Sequence, residues 1–404
     1  MSHLLIVELP GGNDGDILEA ALAGGHRFSF LTADAAHYRA QGLLAPLLAH
    51  AERVIEAGAA LAAHEADPFD AVLCLQDLRI AEAAEIAAAL GLRHLNPRTA
   101  ALCRDKAAVR ARLAEAGLPQ PARATVRGAP ELLAAVDRLG LPLIVKPVDG
   151  FGSQHVFALR EPGDLAILHQ LADLVADGPG DYGLHVAPTG ALLVERLLDG
   201  PVIGCDTMSV DGRHRLLGVN EKLFFPPPSF AIRGGCFTTN TGQFAAIEAY
   251  VFALLDAVGF DHGAAHIELA LTADGPQLIE LNPRLVGARI GRLISAAQGR
   301  SVHGDLIALH VDGRLPPAAA QTRHAATRWL AAGEAGRLGA ITFPACDDPA
   351  LAGVLVLARP GDPVGPPLDN ADRLACVMTC GPDRAEIEAL AERLVAQCRL
   401  DLAA

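Results

Sequence analysis

Basic residues are in short supply in this chain. Its 404 residues include 33 Lys and Arg against 47 Asp and Glu, a formal net charge of -14. That balance argues against a nucleic-acid partner, because such binders present a basic face. It leaves room for a small anionic substrate, which needs only one locally basic pocket. Aromatic residues are scarce too, at 4%, so the cores must be built from Ala, Leu and Val. No run of about 18 apolar residues occurs, so no membrane-spanning helix is expected. The opening MSHLLIVELPGG lacks a basic stretch and reads as a strand, not a signal peptide. The eight cysteines include no CxxC pair, and Cys376 and Cys380 stand closest. Reduced, buried thiols in a cytoplasmic protein are expected, rather than disulfides or a zinc site. Internal repeats and low-complexity segments are also lacking.

What is present is an alternation of strand and helix signals. Short apolar runs at His3–Leu9, Phe28–Leu31, Arg53–Glu56 and Ala71–Leu75 alternate with Ala/Leu-rich helical stretches such as Ile80–Leu90. That order predicts a parallel sheet covered on both faces, a Rossmann-like domain over residues 1–95. The turn Gly11-Gly12-Asn13-Asp14-Gly15 mimics a dinucleotide fingerprint but does not satisfy G-x-G-x-x-G. After Asn96-Pro97 a helix is expected over Thr99–Ala116. Strands follow at Leu143–Lys146 and Val156–Leu159, then a helix over Leu165–Ala176. A Gly/Pro-rich loop (Asp177–Gly190) leads to strands at Ala191–Arg196, Asp206–Val210 and Leu216–Phe224. A long helix is expected over Thr241–Val258. Short strands and one closing helix near Arg384–Arg399 fill residues 312–404.

The richest chemistry lies in two strands, Ala265–Thr272 and Gln277–Leu281, joined by a turn containing Asp274-Gly275, a hairpin signal. Side chains alternate along a strand. His266 and Glu268 therefore share one face, as do Glu280, Asn282 and Arg284. Pairing across the hairpin can set Glu268 beside Glu280. Two adjacent carboxylates repel unless a cation neutralises them, and carboxylate and amide oxygens suit Mg²⁺ beside a triphosphate. The alternative is an exposed polar sheet face with carboxylates paired to arginine, which the apolar neighbours Ile267, Leu269, Leu278, Ile279 and Leu281 disfavour. Lys146, inside an apolar strand before Pro147, needs an anion or must snorkel. Gly150 and Gly152 would let backbone N–H groups approach phosphate oxygens.

The run His266-x-Glu268, a glycine-containing turn, then Ile279-Glu280-Leu281-Asn282-Pro283-Arg284 resembles the metal-binding hairpin of the ATP-grasp superfamily. The continuation Leu285–Leu293, Gly299, Ser301 and Asp305 fits the same pattern. Arg104-Asp105-Lys106 opens a helix similar to the one that supplies the first phosphate lysine, here Lys106. Leu143-Ile144-Val145-Lys146-Pro147 resembles the strand with the second, Lys146. Asp149-Gly150-Phe151-Gly152-Ser153 looks like the lid loop over the phosphates. Leu193-Val194-Glu195-Arg196-Leu197 resembles the adenine hinge, with backbone groups of Arg196 and Leu197 facing the base.

The resemblance implies an α/β (α+β) ATP-grasp fold. It would comprise an N-terminal Rossmann-like domain (1–95), an ATP-grasp core (96–311, lid subdomain about 120–195) and a C-terminal lobe completing it (312–404). Most similar are L-amino acid ligases and related carboxylate–amine ligases of natural-product or siderophore pathways. The implied cofactors are ATP and Mg²⁺, with Mn²⁺ as a substitute. Metal ligands would be Glu268, Glu280 and Asn282, and the catalytic groups Arg284 and Lys146. ATP would contact Lys106, Lys146, Gly150, Gly152, Ser153, Glu195, Arg196, Leu197, Asp206 and Lys222. Asp206 stands where relatives place a ribose-binding Glu, a departure from the pattern. Lys222 could reach phosphate, and Arg233, Gly234, His266 and Arg289 the substrate; ordinary surface charge is the other reading of Lys222 and Arg233. Partners would be a small carboxylate and an amine, with no nucleic acid and no membrane; a homodimer is left open. Two rivals remain: a biotin carboxylase-like subunit activating bicarbonate, and a non-catalytic nucleotide-binding protein. No AMKM-type biotinyl motif occurs, so any carrier would be a separate chain, and the intact Glu268/Glu280/Asn282/Arg284 set disfavours a dead site.

Overall fold

Continuous apolar runs form the first sheet, as expected of strands buried on both faces. β1 (His3–Val7), β2 (Arg27–Thr32), β3 (Val54–Glu56) and β4 (Ala71–Cys74) pair in parallel in the order β3-β2-β1-β4. The computed structural model describes residues 1–9, 15–40, 48–152, 154–168, 170–171, 186–226, 229, 231–287 and 289–403. Ser153, the turn 10–14 and most of the Gly/Pro-rich loop after residue 171 lie outside the described residues.

A small antiparallel sheet follows, built from β5 (Arg123–Val126), β6 (Leu143–Pro147), β7 (Phe157–Leu159) and β8 (Leu192–Arg196) in the order β5-β8-β6-β7. The remaining strands are β9 (Val202–Val210), β10 (Arg213–Phe224), β11 (Ile232–Thr239), β12 (Gly263–Thr272), β13 (Gly275–Asn282), β14 (His324–Leu330), β15 (Gly336–Thr342), β16 (Leu351–Val356), β17 (Pro363–Val364), β18 (Ala375–Gly381) and β19 (Arg399–Ala403). Eight of them make one large antiparallel sheet, β13-β12-β9-β10-β11-β14-β18-β16. β17, β15 and β19 form a separate three-stranded sheet. Residues after 312 thus extend the large sheet through β14, β18 and β16. Ile267, Leu269, Leu278 and Leu281 of the hairpin pack with Tyr250, Val251, Leu254 and Leu255 of the helix Ala245–Val258. Burying each such aliphatic side chain is worth roughly 1.5–3 kcal/mol, so the hairpin's apolar face fixes its polar one.

Two local expectations are corrected. The single helix over 99–116 is two helices, Pro97–Cys103 and Lys106–Glu115. Asp105 divides them: its carboxylate accepts from the N–H groups of Ala107 and Ala108 at 2.8 and 3.0 Å, a cap that starts a new helix at Lys106. Arg233-Gly234-Gly235, where two adjacent glycines after the break at Pro226-Pro227-Pro228 suggest a loop, lies in β11. A Cβ on Gly234 would sit 2.3 Å from the Thr327 carbonyl oxygen, and one on Gly235 2.3 Å from that of Glu221. Close strand approach therefore explains both glycines. The eight cysteines form no disulfide. Among the described residues no helix is long and apolar enough to cross a membrane.

Candidate active site

The hairpin register sets Glu268 directly opposite Glu280 and His266 opposite Asn282. The register then shifts, so that Leu269 faces Leu278 and Ile279 is skipped. Such a bulge disrupts the ladder locally, and bulges are common beside active sites. The Ile279 carbonyl accepts from Lys146 Nζ at 3.2 Å and from Arg110 at 3.4 Å. Each hairpin carboxylate meets a lysine from another element. Glu280 Oε1 lies 3.0 Å from Lys106 Nζ, at the start of its helix, and Glu268 Oε1 accepts from Lys222 of β10. Lys106 also donates to the Gly150 carbonyl in the lid loop.

Behind Glu268 stands His266, with Nδ1 3.0 Å from Asp206 and Nε2 3.4 Å from Glu268. A Cβ on Gly204 would meet the His266 ring at 2.7 Å, so this glycine makes room for the imidazole. Burial would lower the His266 pKa, but Asp206 and Glu268 outweigh it and raise it. Burial would likewise raise Glu268, yet Lys222 and His266 hold it well below the usual carboxylate range. Asp206 is fully buried. It therefore backs His266 and does not reach a ribose, which corrects its assignment to ATP.

Glu195 is corrected as well. It lies in β8 with its side chain 2% exposed, bound by Arg110 at 2.6 Å and Lys146 at 3.0 Å. Burial pushes its pKa up, but Lys146 and Arg110 overcome that and hold it at about 2. Burial likewise pulls Lys146 down against the opposing pull of Glu195. Glu195 thus positions Lys146 and offers nothing to a base. The hinge amides are also engaged: Arg196 N–H donates to the Ala122 carbonyl at 2.9 Å and Leu197 N–H to that of Pro142 at 3.1 Å. These two N–H groups serve the small sheet, so the expected contact of the Arg196 and Leu197 backbone with adenine rests on their carbonyl oxygens.

Arg284 donates to Asp77, just after β4, and to its neighbouring Leu285 carbonyl at 2.8 Å. Burial would lower its pKa, but Asp77, Glu280 and Glu268 raise it, so the guanidinium sits in the field of the hairpin carboxylates. Arg104 ties the lid loop by donating to the Asp149 carbonyl at 2.7 Å. Gly152 has φ of +63° and lies in the same loop.

Three expected substrate residues have neighbours within the protein that account for them. Arg233 pairs with Glu392 at 3.0 Å. Glu392 also takes Arg328, which lies on the sheet face opposite Lys222, because Lys222 is aligned with Gly235 and Thr327. Gly234 is held between strands, as described above. Arg289 has φ of +64° and meets Asp16 at 3.0 Å, joining the helix Ile290–Gln298 to the N-terminal helix Asp16–Ala23. Sequence reasoning missed Arg110, Asp77, Arg104, Gly204 and Asp16. Of these, only Arg104, beside the motif at Asp105-Lys106, carried a signal.

The donor set fits a hard cation. Glu268 and Glu280 are 24% and 21% exposed, and buried Asn282 adds an amide oxygen. Contacts of both carboxylates fall on Oε1 among the described residues, leaving Oε2 available. No three acidic, His or Cys side chains there form a metal cluster by themselves. A cation on this hairpin would therefore share its shell with ligand oxygens, as Mg²⁺ does beside phosphates.

Residues 139–292 match the ATP-grasp domain family and residues 328–403 the L-amino acid ligase C-terminal domain 2 family. An uncharacterized protein of Sinorhizobium fredii, y4rH, is 30% identical over 304 residues, covering 74% of this chain and 61% of its own. An L-arginine-specific L-amino acid ligase of Bacillus subtilis is 24% identical over 230 residues, covering 56% of this chain and 54% of its own. The chain thus spans between half and two thirds of these relatives. The crystal structure of an L-amino acid ligase from Bacillus licheniformis superposes with a TM-score of 0.79 at 20% identity, covering 100% of this chain and 99% of that one.

Proposed function

We propose that this chain is an ATP-dependent carboxylate–amine ligase, an enzyme forming C–N bonds through an acyl phosphate, because residues 139–292 match the ATP-grasp domain family and residues 328–403 the L-amino acid ligase C-terminal domain 2 family. The observation that carries this reading is the cross-strand pair Glu268 and Glu280, each matched by a lysine from a different element. Glu268, Glu280 and Asn282 would hold Mg²⁺. When bound there, the ion would neutralise charge on the ATP phosphates. Lys106 and Lys146 bind and orient the triphosphate. Lys222 holds the Glu268 carboxylate in position on the sheet.

The substrate carboxylate oxygen attacks the γ-phosphorus. A P–O bond to ADP breaks, and the carboxylate becomes an acyl phosphate. Positioning and charge neutralisation carry such a transfer. The amine lone pair then attacks the acyl carbon, phosphate leaves with its bonding pair, and the amine proton goes to solvent. Arg284, steered by Asp77, stabilises the oxyanion formed in that attack. The loop from Asp149 to Gly152 excludes water from the intermediate. Substrates are small molecules, an amino acid or related carboxylate and an amine.

An ¹⁸O-labelled carboxylate tests the order of chemistry. The mechanism requires label in inorganic phosphate and ADP as the nucleotide product. Label in AMP would refute it.

A further inference from the structure

Three arginines among the described residues expose less than a tenth of their surface: Arg110, Arg328 and Arg373. Arg110 has Glu195, and Arg328 has Glu392 and Glu388. Arg373 has no carboxylate within ion-pair distance among the described residues. Its guanidinium carbon instead lies 4.0 Å from the ring centre of Trp329. Its Nε donates to the Asn370 carbonyl at 2.9 Å, while its outer nitrogens have no acceptor there and keep contact with solvent. Burial lowers its pKa to about 10, with Cys376 and Asp369 opposing. A buried cation without an anion is costly, and stacking on an indole offsets only part of that.

The position of this cation is not arbitrary. Asn370 accepts from Ile232 N–H at 2.9 Å, and Ser229 donates to the Leu368 carbonyl at 3.4 Å. The stretch 368–373 is therefore docked on the segment between β10 and β11. Lys222, Gly235 and Thr327 are aligned across β10, β11 and β14, and Trp329 stands two residues beyond Thr327 on the same face. Two strand spacings and one two-residue step place its Cα on the order of 12 Å from that of Lys222. Arg373 thus faces the side of the sheet that carries the hairpin carboxylates, but too far away to touch a group reacting there. Two extended residues span at most about 7 Å, and the lysine and arginine side chains cover the remainder.

We propose that Arg373, stacked on Trp329, is a substrate-binding residue that grips a second carboxylate, remote from the reacting centre. The inference rests on the ligase reading and narrows it: one substrate is an α-amino acid or dicarboxylate, not a simple amine or monoacid. A guanidinium pairs with a carboxylate through two parallel hydrogen bonds, and the indole holds the guanidinium plane in place for that contact.

Trp329 is the one tryptophan in the chain, so its fluorescence reports on the site without interference. The full chain with MgADP is titrated with each of the twenty L-amino acids and with their carboxamides. At least one amino acid should give a saturable change that its carboxamide does not. R373M should abolish that change, and R373K should retain part of it. In turnover, R373M should raise KM at least about 10-fold for the carboxylate-bearing acceptor and leave no preference over its carboxamide. A rise confined to the activated carboxylate, measured with hydroxylamine as the acceptor, would assign the second carboxylate to the donor. A Trp329 response equal for acids and carboxamides, or KM values untouched by R373M, would overturn the inference. Absence of ADP release from the wild-type chain with hydroxylamine and any tested carboxylate would instead defeat the ligase reading. Should R373M fail to fold, the graded response of R373K against wild type decides the same question.

Discussion

Two groups of carboxylates and cations meet at the Ile279 carbonyl and behave differently. In the first, Glu195 is sealed at 2% exposure, and its two oxygens are shared by Arg110 and Lys146. In the second, Glu268 and Glu280 are about a quarter exposed and their contacts crowd onto one oxygen each. Glu195 has no oxygen left to offer a ligand and sets where Lys146 points. The open group has the exposure and the carboxylate oxygens that a cation would need. The Ile279 carbonyl links them, since both Arg110 and Lys146 donate to the residue just before Glu280. Residue type alone does not separate a scaffold carboxylate from a ligand; saturation of its oxygens does.

Substitution on the open side should affect turnover most. Glu280→Gln keeps size and removes a charged ligand, so ADP release should fall at least ~100-fold, as for loss of a key electrostatic group. Its urea unfolding midpoint should barely move. Equal ADP release at saturating Mg²⁺ would erase the distinction between the two groups.

Substitution on the sealed side should affect stability most. Glu195→Gln leaves Arg110 and Lys146 buried without an anion, a change that costs about 3–5 kcal/mol, read as a fall in the urea midpoint. A midpoint like that of wild type would mean that the buried group is not a structural unit. The same group predicts acid lability. Glu195 titrates at about 2 in the folded chain against 4.5 ordinarily. Its contribution, on the order of 3 kcal/mol, is therefore complete above pH ~4.5 and lost as pH falls toward 2. Denaturant titrations between pH 5 and 2 would show it as a slope that Glu195→Gln flattens.

The open group was legible in the sequence and the sealed one was not. Glu268 opposite Glu280 followed from alternation along two apolar strands and an Asp-Gly turn, all local signals. Arg110 looks like a solvent-facing helix arginine, and its partner lies 85 residues away. Asp77 meets Arg284 across 207 residues, beyond any spacing rule. Asp206 was placed on the correct strand, but whether its carboxylate met a ribose or an imidazole depended on Gly204 opening space beside it. Gly234 and Gly235 imitated a flexible loop, whereas their reason is a 2.3 Å clash that a Cβ would make. The N-terminal parallel strands were readable because burial on both faces leaves an unbroken apolar run.

The smallest effect is expected far from both groups. Arg233→Ala removes a half-exposed pair with Glu392, so stability should change by less than about 1 kcal/mol and ADP release by less than about two-fold. A large loss of turnover would return Arg233 to the site.

Binding of Mn²⁺ in the presence of ADP, followed by electron paramagnetic resonance, tests the central claim most directly. The wild-type chain should take up the ion with ADP, Glu280→Gln and Glu268→Gln should weaken that uptake at least about 10-fold, and Arg233→Ala should not. Uptake that is unchanged in both hairpin variants would contradict the account, because the cation would then lie somewhere other than between these two strands.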